Sequence, residues 1–147
     1  MYPAFFYLAL KIIHILSACV VIGYLMYDVF IFARLGKTRS KEAFKSLKRE
    51  ILKPSALCMG VGFLVLIGSG AMLGAQYFGG DLGFWQNDFQ KLLWLKIALV
   101  ASLFVLTPFS LYFIIIRKTR DPFREYYHHI ALVICVCVVV VAKLMLG

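Results

Sequence analysis

The sequence predicts an all-α membrane protein, a four-transmembrane-helix bundle with both termini on the outer, periplasmic side. Three observations carry that expectation. The 147 residues are 63% hydrophobic, and the mean hydropathy is +0.88, too apolar for a soluble domain of this size. Four apolar stretches reach the roughly 20 residues that a bilayer crossing needs. The formal net charge of +9 is clustered between those stretches rather than spread over a surface. Nucleic-acid binding is not expected, because a basic recognition surface must be solvated and little of this chain is.

The first stretch runs from Ala4 to Ala33 and is long enough to tilt or protrude. "LSAC" at Leu16 to Cys19 resembles a lipoprotein cleavage pattern. No basic residue precedes that apolar run, Lys11 interrupts it, and apolar sequence continues past Cys19, so a retained span is expected. The segment 34–53, "RLGKTRSKEAFKSLKREILK", carries eight Lys or Arg and two Glu. Phe44, Leu47 and Ile51 fall at i, i+3 and i+7 within it, the pattern of a short interfacial amphipathic helix. A solvated basic linker is the equal alternative.

The second stretch, Pro54 to Ala75, contains Gly60, Gly62, Gly68, Gly70 and Gly74. Gly70 and Gly74 form a GxxxG, which favours close helix contact. The same glycines could instead make room for a ligand. The middle loop, "QYFGGDLGFWQNDFQK", has two Asp and one Lys, with Tyr77, Phe84 and Trp85 suited to an interfacial belt. The third stretch is Leu92 to Ile116, followed by the basic loop "RKTRDPFRE", and the fourth is Tyr127 to Leu146. Excess Lys and Arg mark cytoplasmic loops, so the two basic loops face inward and the middle loop outward. All four cysteines, Cys19, Cys58, Cys135 and Cys137, fall inside spans and read as buried thiols rather than a disulfide framework.

Ionisable residues inside spans are costly and usually functional. Counting 1.5 Å per residue from the predicted ends, His14 lies slightly outward of the midpoint and Lys11 one turn further out. Lys96 and Lys143 fall in the same outer half, with no acidic residue at that depth. Three cations without anions suggest that an anionic ligand completes the site. The competing reading is that each lysine extends independently to the headgroups. An inward histidine in a helical bundle is either a satisfied core residue or an axial haem ligand. Residues 7, 10, 14, 17, 18, 21, 24, 25 and 28 share the helical spacing around His14, and Ser17, Ala18 and Gly23 are small enough to admit a flat macrocycle. His128 and His129 begin the fourth span at its inner end, well over 10 Å in depth from His14, and are not expected to pair with it.

"KIIH" at Lys11 to His14, "LWLKIAL" at Leu93 to Leu99, "IGSGAML" at Ile67 to Leu73 and "VVVVAK" at Val138 to Lys143 together resemble the HemJ-type protoporphyrinogen oxidases and the wider CopD-like superfamily. The likeness covers nearly the whole chain in span order, loop charge and length. It implies a bacterial inner-membrane protein with haem b, His14 as the iron ligand, and Lys11, Lys96 and Lys143 holding carboxylates of haem or porphyrin. It further implies an oxidoreductase acting in porphyrin biosynthesis, with a quinone or another electron acceptor as partner besides the lipid bilayer. The chain departs from the family at Val21, where a Trp is usual, at "YDVF" (Tyr27 to Phe30) in place of a Pro-Arg stretch, and at His128-His129 in place of Asn-Glu. Met59 is the nearest counterpart of a family Met and a further candidate metal ligand.

Two other functions compete. Met26, Met59, Cys58, Cys19 and His14 offer ligands suited to a CopD-like copper-handling protein, although they form no compact motif and neighbouring lysines oppose a cation. The remaining reading is a cofactor-free membrane assembly subunit. A homo-oligomer is compatible with all three.

Overall fold

The computed structural model describes residues 3–79, 83–115 and 126–145. These residues are helical throughout their long segments, with no strand among them. Helix α1 spans Ala4–Met26, runs through a π-helical segment at Tyr27–Phe32, and continues as α2, Ala33–Thr38. Helix α3 spans Lys41–Ala75, α4 Asp88–Ile115 and α5 Tyr127–Leu144. The second basic loop, 117–125, the end of the third predicted span at Ile116, the loop residue Asp81 and the two C-terminal residues lie outside the described residues.

Among the described residues, three helical stretches are long and apolar enough to cross a membrane: Ala4–Thr38, Lys53–Ala75 and Tyr127–Leu144. Their surfaces fit that setting. Phe5 is 84% exposed and Leu64 72%, and exposed large apolar side chains recur along α1, α3, α4 and α5. Contiguous apolar surface on this scale is rare on soluble monomers. A lipid environment removes the cost.

The basic segment 34–53 differs from a loop. It is helical except at Arg39 and Ser40. Ser40 caps α3, accepting a hydrogen bond from the Ala43 amide at 3.3 Å. Phe44 packs its ring 5.1 Å from that of Phe32 and fills the space that a side chain at Gly36 would need. The amphipathic pattern is therefore present, but Phe44 turns toward the preceding helix rather than lipid. The helix continues through Pro54, at the cost of one backbone bond to the Glu50 carbonyl.

The chain divides into two compact units, Met1–Tyr77 and Phe78–Gly147. In the first, α1 packs on α3. Its buried positions Leu10, Ser17, Val21 and Leu25 continue the helical spacing read around His14. In the second, α4 packs on α5, burying Leu93, Leu103, Ala131 and Val141.

The second unit opens with a built loop. Gly79 and Gly83 adopt positive φ, +93° and +66°, a conformation that glycine enters without steric cost. Gln90 is 1% exposed. Its side chain donates to the Gly83 carbonyl at 3.2 Å and accepts from the Gln86 amide at 2.8 Å. Asn87 accepts from the Gln90 amide at 2.8 Å and so caps α4. The Trp94 indole donates to the Phe84 carbonyl at 2.9 Å. Phe78, Phe84, Trp85 and Trp94 gather around it with ring centroids 5.3 to 6.3 Å apart, consistent with the expected interfacial belt.

Candidate functional site

The site builds outward from His14. Its ring lies part-buried in the seam between α1 and α3, with Nδ1 3.0 Å from the Leu66 carbonyl oxygen and 3.1 Å from Ser69 Oγ. A carbonyl oxygen only accepts, so Nδ1 carries the proton. Ser69 directs its own proton to the Val65 carbonyl at 2.6 Å, which leaves its oxygen to accept from Nδ1 as well. With Nδ1 donating, the neutral form of the ring has its lone pair on Nε2. Metal-ligating histidines are commonly fixed in this way, one nitrogen donating to a backbone carbonyl while the other ligates.

Gly70 explains how His14 reaches that carbonyl. On a helix a side chain leans back over the preceding turn. A Cβ at Gly70 would stand 2.9 Å from His14 Cε1 and 3.4 Å from Nδ1. Of the two readings of the glycines, close contact therefore holds at Gly70, and the occupant of its space is His14 itself. Gly62 is similarly lined by Val20 and Val21, whereas Gly23, Gly60 and Gly68 face open space.

Lys11 lies about one turn nearer the N-terminus of α1 and is exposed. Its ammonium sits 5.4 Å from the centroid of the Tyr7 ring, a cation–π contact, so the charge is carried back toward the N-terminal end of the helix. Tyr7 and Tyr77 share a hydrogen bond between their hydroxyls at 3.0 Å. That bond raises the Tyr77 pKa above the ordinary phenol value, with burial adding to the rise. Gln76, next to Tyr77 in the sequence, has a buried amide nitrogen with no hydrogen-bond partner among the described residues. From His14 and Ser69 toward the N-terminal end of α1, the α1–α3 pair thus carries polar groups at Lys11, Tyr7 and Tyr77.

Ser17, counted among the small residues, is buried, and Ala18 is half-buried. A groove of about 550 Å³ opens beside the seam, lined by residues including Leu16, Ser17, Val20, Pro54, Gly62 and Val65.

The other expected site residues are not gathered there by any described contact. Met59 is half-buried on α3. It precedes Ser69 by ten residues on one continuous helix, about 15 Å along the axis, so Met59 and His14 do not share a ligation level. Lys96 on α4 is half-buried, and Lys143 is exposed in the last turn of α5, where a cation complements the helix dipole. Both belong to the second unit. His128 and His129 also lie there, with rings 5.7 and 6.5 Å from those of Tyr127 and Tyr126.

Sequence reading did not single out Ser69, Tyr7 or Gln76 for the site. Ser69 had a signal: it is the single polar side chain between residues 59 and 75. The pairing of Tyr7 with Tyr77, 70 positions apart, had none.

These features define a class, an all-helical chain with membrane-length apolar helices and a polar, histidine-centred seam. Comparison adds no relative to that class: the chain matches no protein-family model, no curated protein and no solved structure.

Proposed function

We propose that this is a haem b-binding protein of the bacterial inner membrane, with four spans, both termini outside, and an oxidoreductase role in porphyrin chemistry. The observation that carries the reading is the tautomer of His14, whose Nδ1–H is committed to the Leu66 carbonyl and whose lone pair is on Nε2. The donor chemistry fits an axial haem ligand. Bound haem would supply one-electron redox chemistry. The chain's own residues supply the rest. Leu66 and Ser69 orient the imidazole, Gly70 permits its approach, and Lys11 places positive charge outward of it. The resemblance assigns Lys96 and Lys143, both in the second unit, to carboxylates of haem or a porphyrin as well. A quinone or similar carrier would accept electrons.

A copper-handling role gains no comparable support. Among the described residues no three His, Cys, Asp or Glu side chains gather to hold a metal ion, and Met59 stands apart from His14. The cofactor-free reading has one observation in its favour: the His14 ring already serves as packing for Gly70.

The test is the absorption spectrum of the purified protein and of its His14→Ala variant. A Soret band in the wild type that disappears in His14→Ala, with helicity unchanged, is expected. Full haem retention in His14→Ala would remove the ligand assignment. No Soret band in either protein, even after haem is supplied, would favour the cofactor-free bundle.

A further inference from the structure

The basic segment 34–53 presents an ordered array of charge. Its eight Lys and Arg are all exposed. Lys41, Lys45, Arg49 and Lys53 stand at successive four-residue steps along α3. Residues at that step are neighbours on a helix surface, with Cβ atoms about 5–6 Å apart, so the four cations form one row. Like charges at this spacing destabilise a helix. The two acidic residues of the segment do not relieve them. Among the described residues the one ion pair joins Lys91 to Asp88, and Glu50 accepts a hydrogen bond from Ser46 at 3.4 Å. The row therefore calls for anions from outside the chain.

Its level on the helix pair selects the kind of anion. Lys53 is the first residue of the membrane-length apolar part of α3, so the row starts where that part begins. Phe44, next to Lys45 in the sequence, holds its ring 5.1 Å from that of Phe32. Phe30 and Ile31, just before Phe32, are 62% and 54% exposed. Exposed apolar groups and the cations of the row thus stand at about one level of the pair. That combination suits the boundary between hydrocarbon and headgroups. Apolar side chains there meet acyl chains, and long Lys and Arg side chains extend to the charged layer. A water-soluble acidic partner would leave Phe30 and Ile31 in water.

We propose that the start of α3 is a docking surface for anionic phospholipids, whose phosphates bind along the row Lys41, Lys45, Arg49 and Lys53. The Phe44 ring, seated against Phe32 and over Gly36, ties this part of α3 to the preceding helix and holds the row in a fixed array. Charge complementarity supplies the preference: a zwitterionic headgroup carries its own cation beside the phosphate, and an anionic one does not. Basic clusters of this size beside a span gain about fivefold in anionic-lipid binding per cation. The proposal shares no residue with the haem reading of His14 and stands or falls apart from it.

The experiment places the purified full-length protein in detergent micelles doped with equal amounts of phosphatidylglycerol and phosphatidylcholine. Native mass spectrometry then reads the ratio of the two lipids that stay bound. The wild type is expected to retain phosphatidylglycerol by about tenfold or more over phosphatidylcholine. Lys45→Gln should lower that ratio by about fivefold, and the triple variant Lys41→Gln, Lys45→Gln, Arg49→Gln should bring it close to unity. These positions are exposed and glutamine is a comparable helix former, so far-ultraviolet circular dichroism should be unchanged. Lys91→Gln removes one cation outside the row and should leave the ratio where it was. Equal retention of the two lipids by the wild type would overturn the proposal. So would a ratio that survives the triple substitution, or one that falls as far in Lys91→Gln as in Lys45→Gln, since net charge alone would then account for it. Soluble poly-glutamate is added in a parallel arm. Binding of that polymer through the row, without any lipid preference, would overturn the lipid assignment and give the surface to an acidic protein instead.

Discussion

Substituting Gly70→Ala gives the sharpest test of the seam. An alanine Cβ there would lie 2.9 Å from His14 Cε1, closer than non-bonded carbons approach. Carbon pairs sit best at about 3.5 to 4.0 Å, so the imidazole must retreat by well over half an ångström or the helices must part. The ring is anchored by its bond to the Leu66 carbonyl at 3.0 Å. Retreat therefore stretches that bond, and parting the helices opens the packing around Ser17 and Val21. Overpacking costs about 1–3 kcal/mol. Helix propensity acts in the opposite direction, because alanine is better than glycine inside a helix by about 1 kcal/mol. The two effects separate in a cycle. With His14 present, Gly70→Ala should destabilise the protein by about 0–2 kcal/mol after the propensity gain is subtracted. In a His14→Ala background the clash is gone, and the same substitution should stabilise by up to about 1 kcal/mol. Reversible unfolding in mixed detergent micelles, followed by far-ultraviolet circular dichroism, reads both legs. A coupling of 0.5 kcal/mol or less between the two sites would mean that they are not in contact, and the account of His14, its tautomer included, would have to be abandoned.

Three further outcomes follow from other parts of the molecule. Gln90→Leu removes the partner of the Gln86 amide and the Gly83 carbonyl, and should cost about 1–3 kcal/mol for the groups left unpaired; faster amide exchange at Gln86 would report it, and an unchanged rate would refute it. Lys91, 2.8 Å away, lowers the Asp88 carboxyl below its usual range. A lowered folded pKa makes this contribution present above the unfolded value and lost as pH falls through the folded one. Acidification below about pH 4 should therefore fray the start of α4, and Asp88→Asn should abolish that part of the pH dependence in thermal melts. A reporter fused after Gly147 should be active only on the outer side, as the positive-inside rule requires; activity confined to the cytoplasm would reverse the orientation.

Much of the architecture was legible from the chain alone, because hydropathy and helical period are local properties. Stretches of about 20 apolar residues cannot leave backbone groups unpaired in lipid, so they must be helices. The spacing of Leu10, His14, Ser17 and Val21 marked one face of α1, and α3 covers that face. Lys11 and His14 were conspicuous because ionisable groups in apolar runs are expensive. The helical state of 34–53 was only half legible. Phe44, Leu47 and Ile51 showed the period, but a basic amphipathic stretch reads the same whether its apolar side meets lipid or another helix. The contact of Phe44 with Phe32 and Gly36 decided it.

What required the tertiary structure were the facts that depend on two segments at once. A histidine's tautomer is set by whatever faces Nδ1, and here that is a carbonyl 52 positions away. Gly70 reads equally as helix contact or ligand space until the neighbour filling it is known. Tyr7 and Tyr77 are ordinary interfacial aromatics in sequence, and they become a pair only when the start of α1 meets the end of α3. Gln90 looks like any polar residue at a helix start, yet it is buried and bonds both the Gln86 amide and the Gly83 carbonyl. The physical reason is the same in each case. Sequence pattern records which groups must leave water or lipid, whereas hydrogen-bond partnership and steric complementarity are properties of the pair and exist only once the chain has brought its two members together.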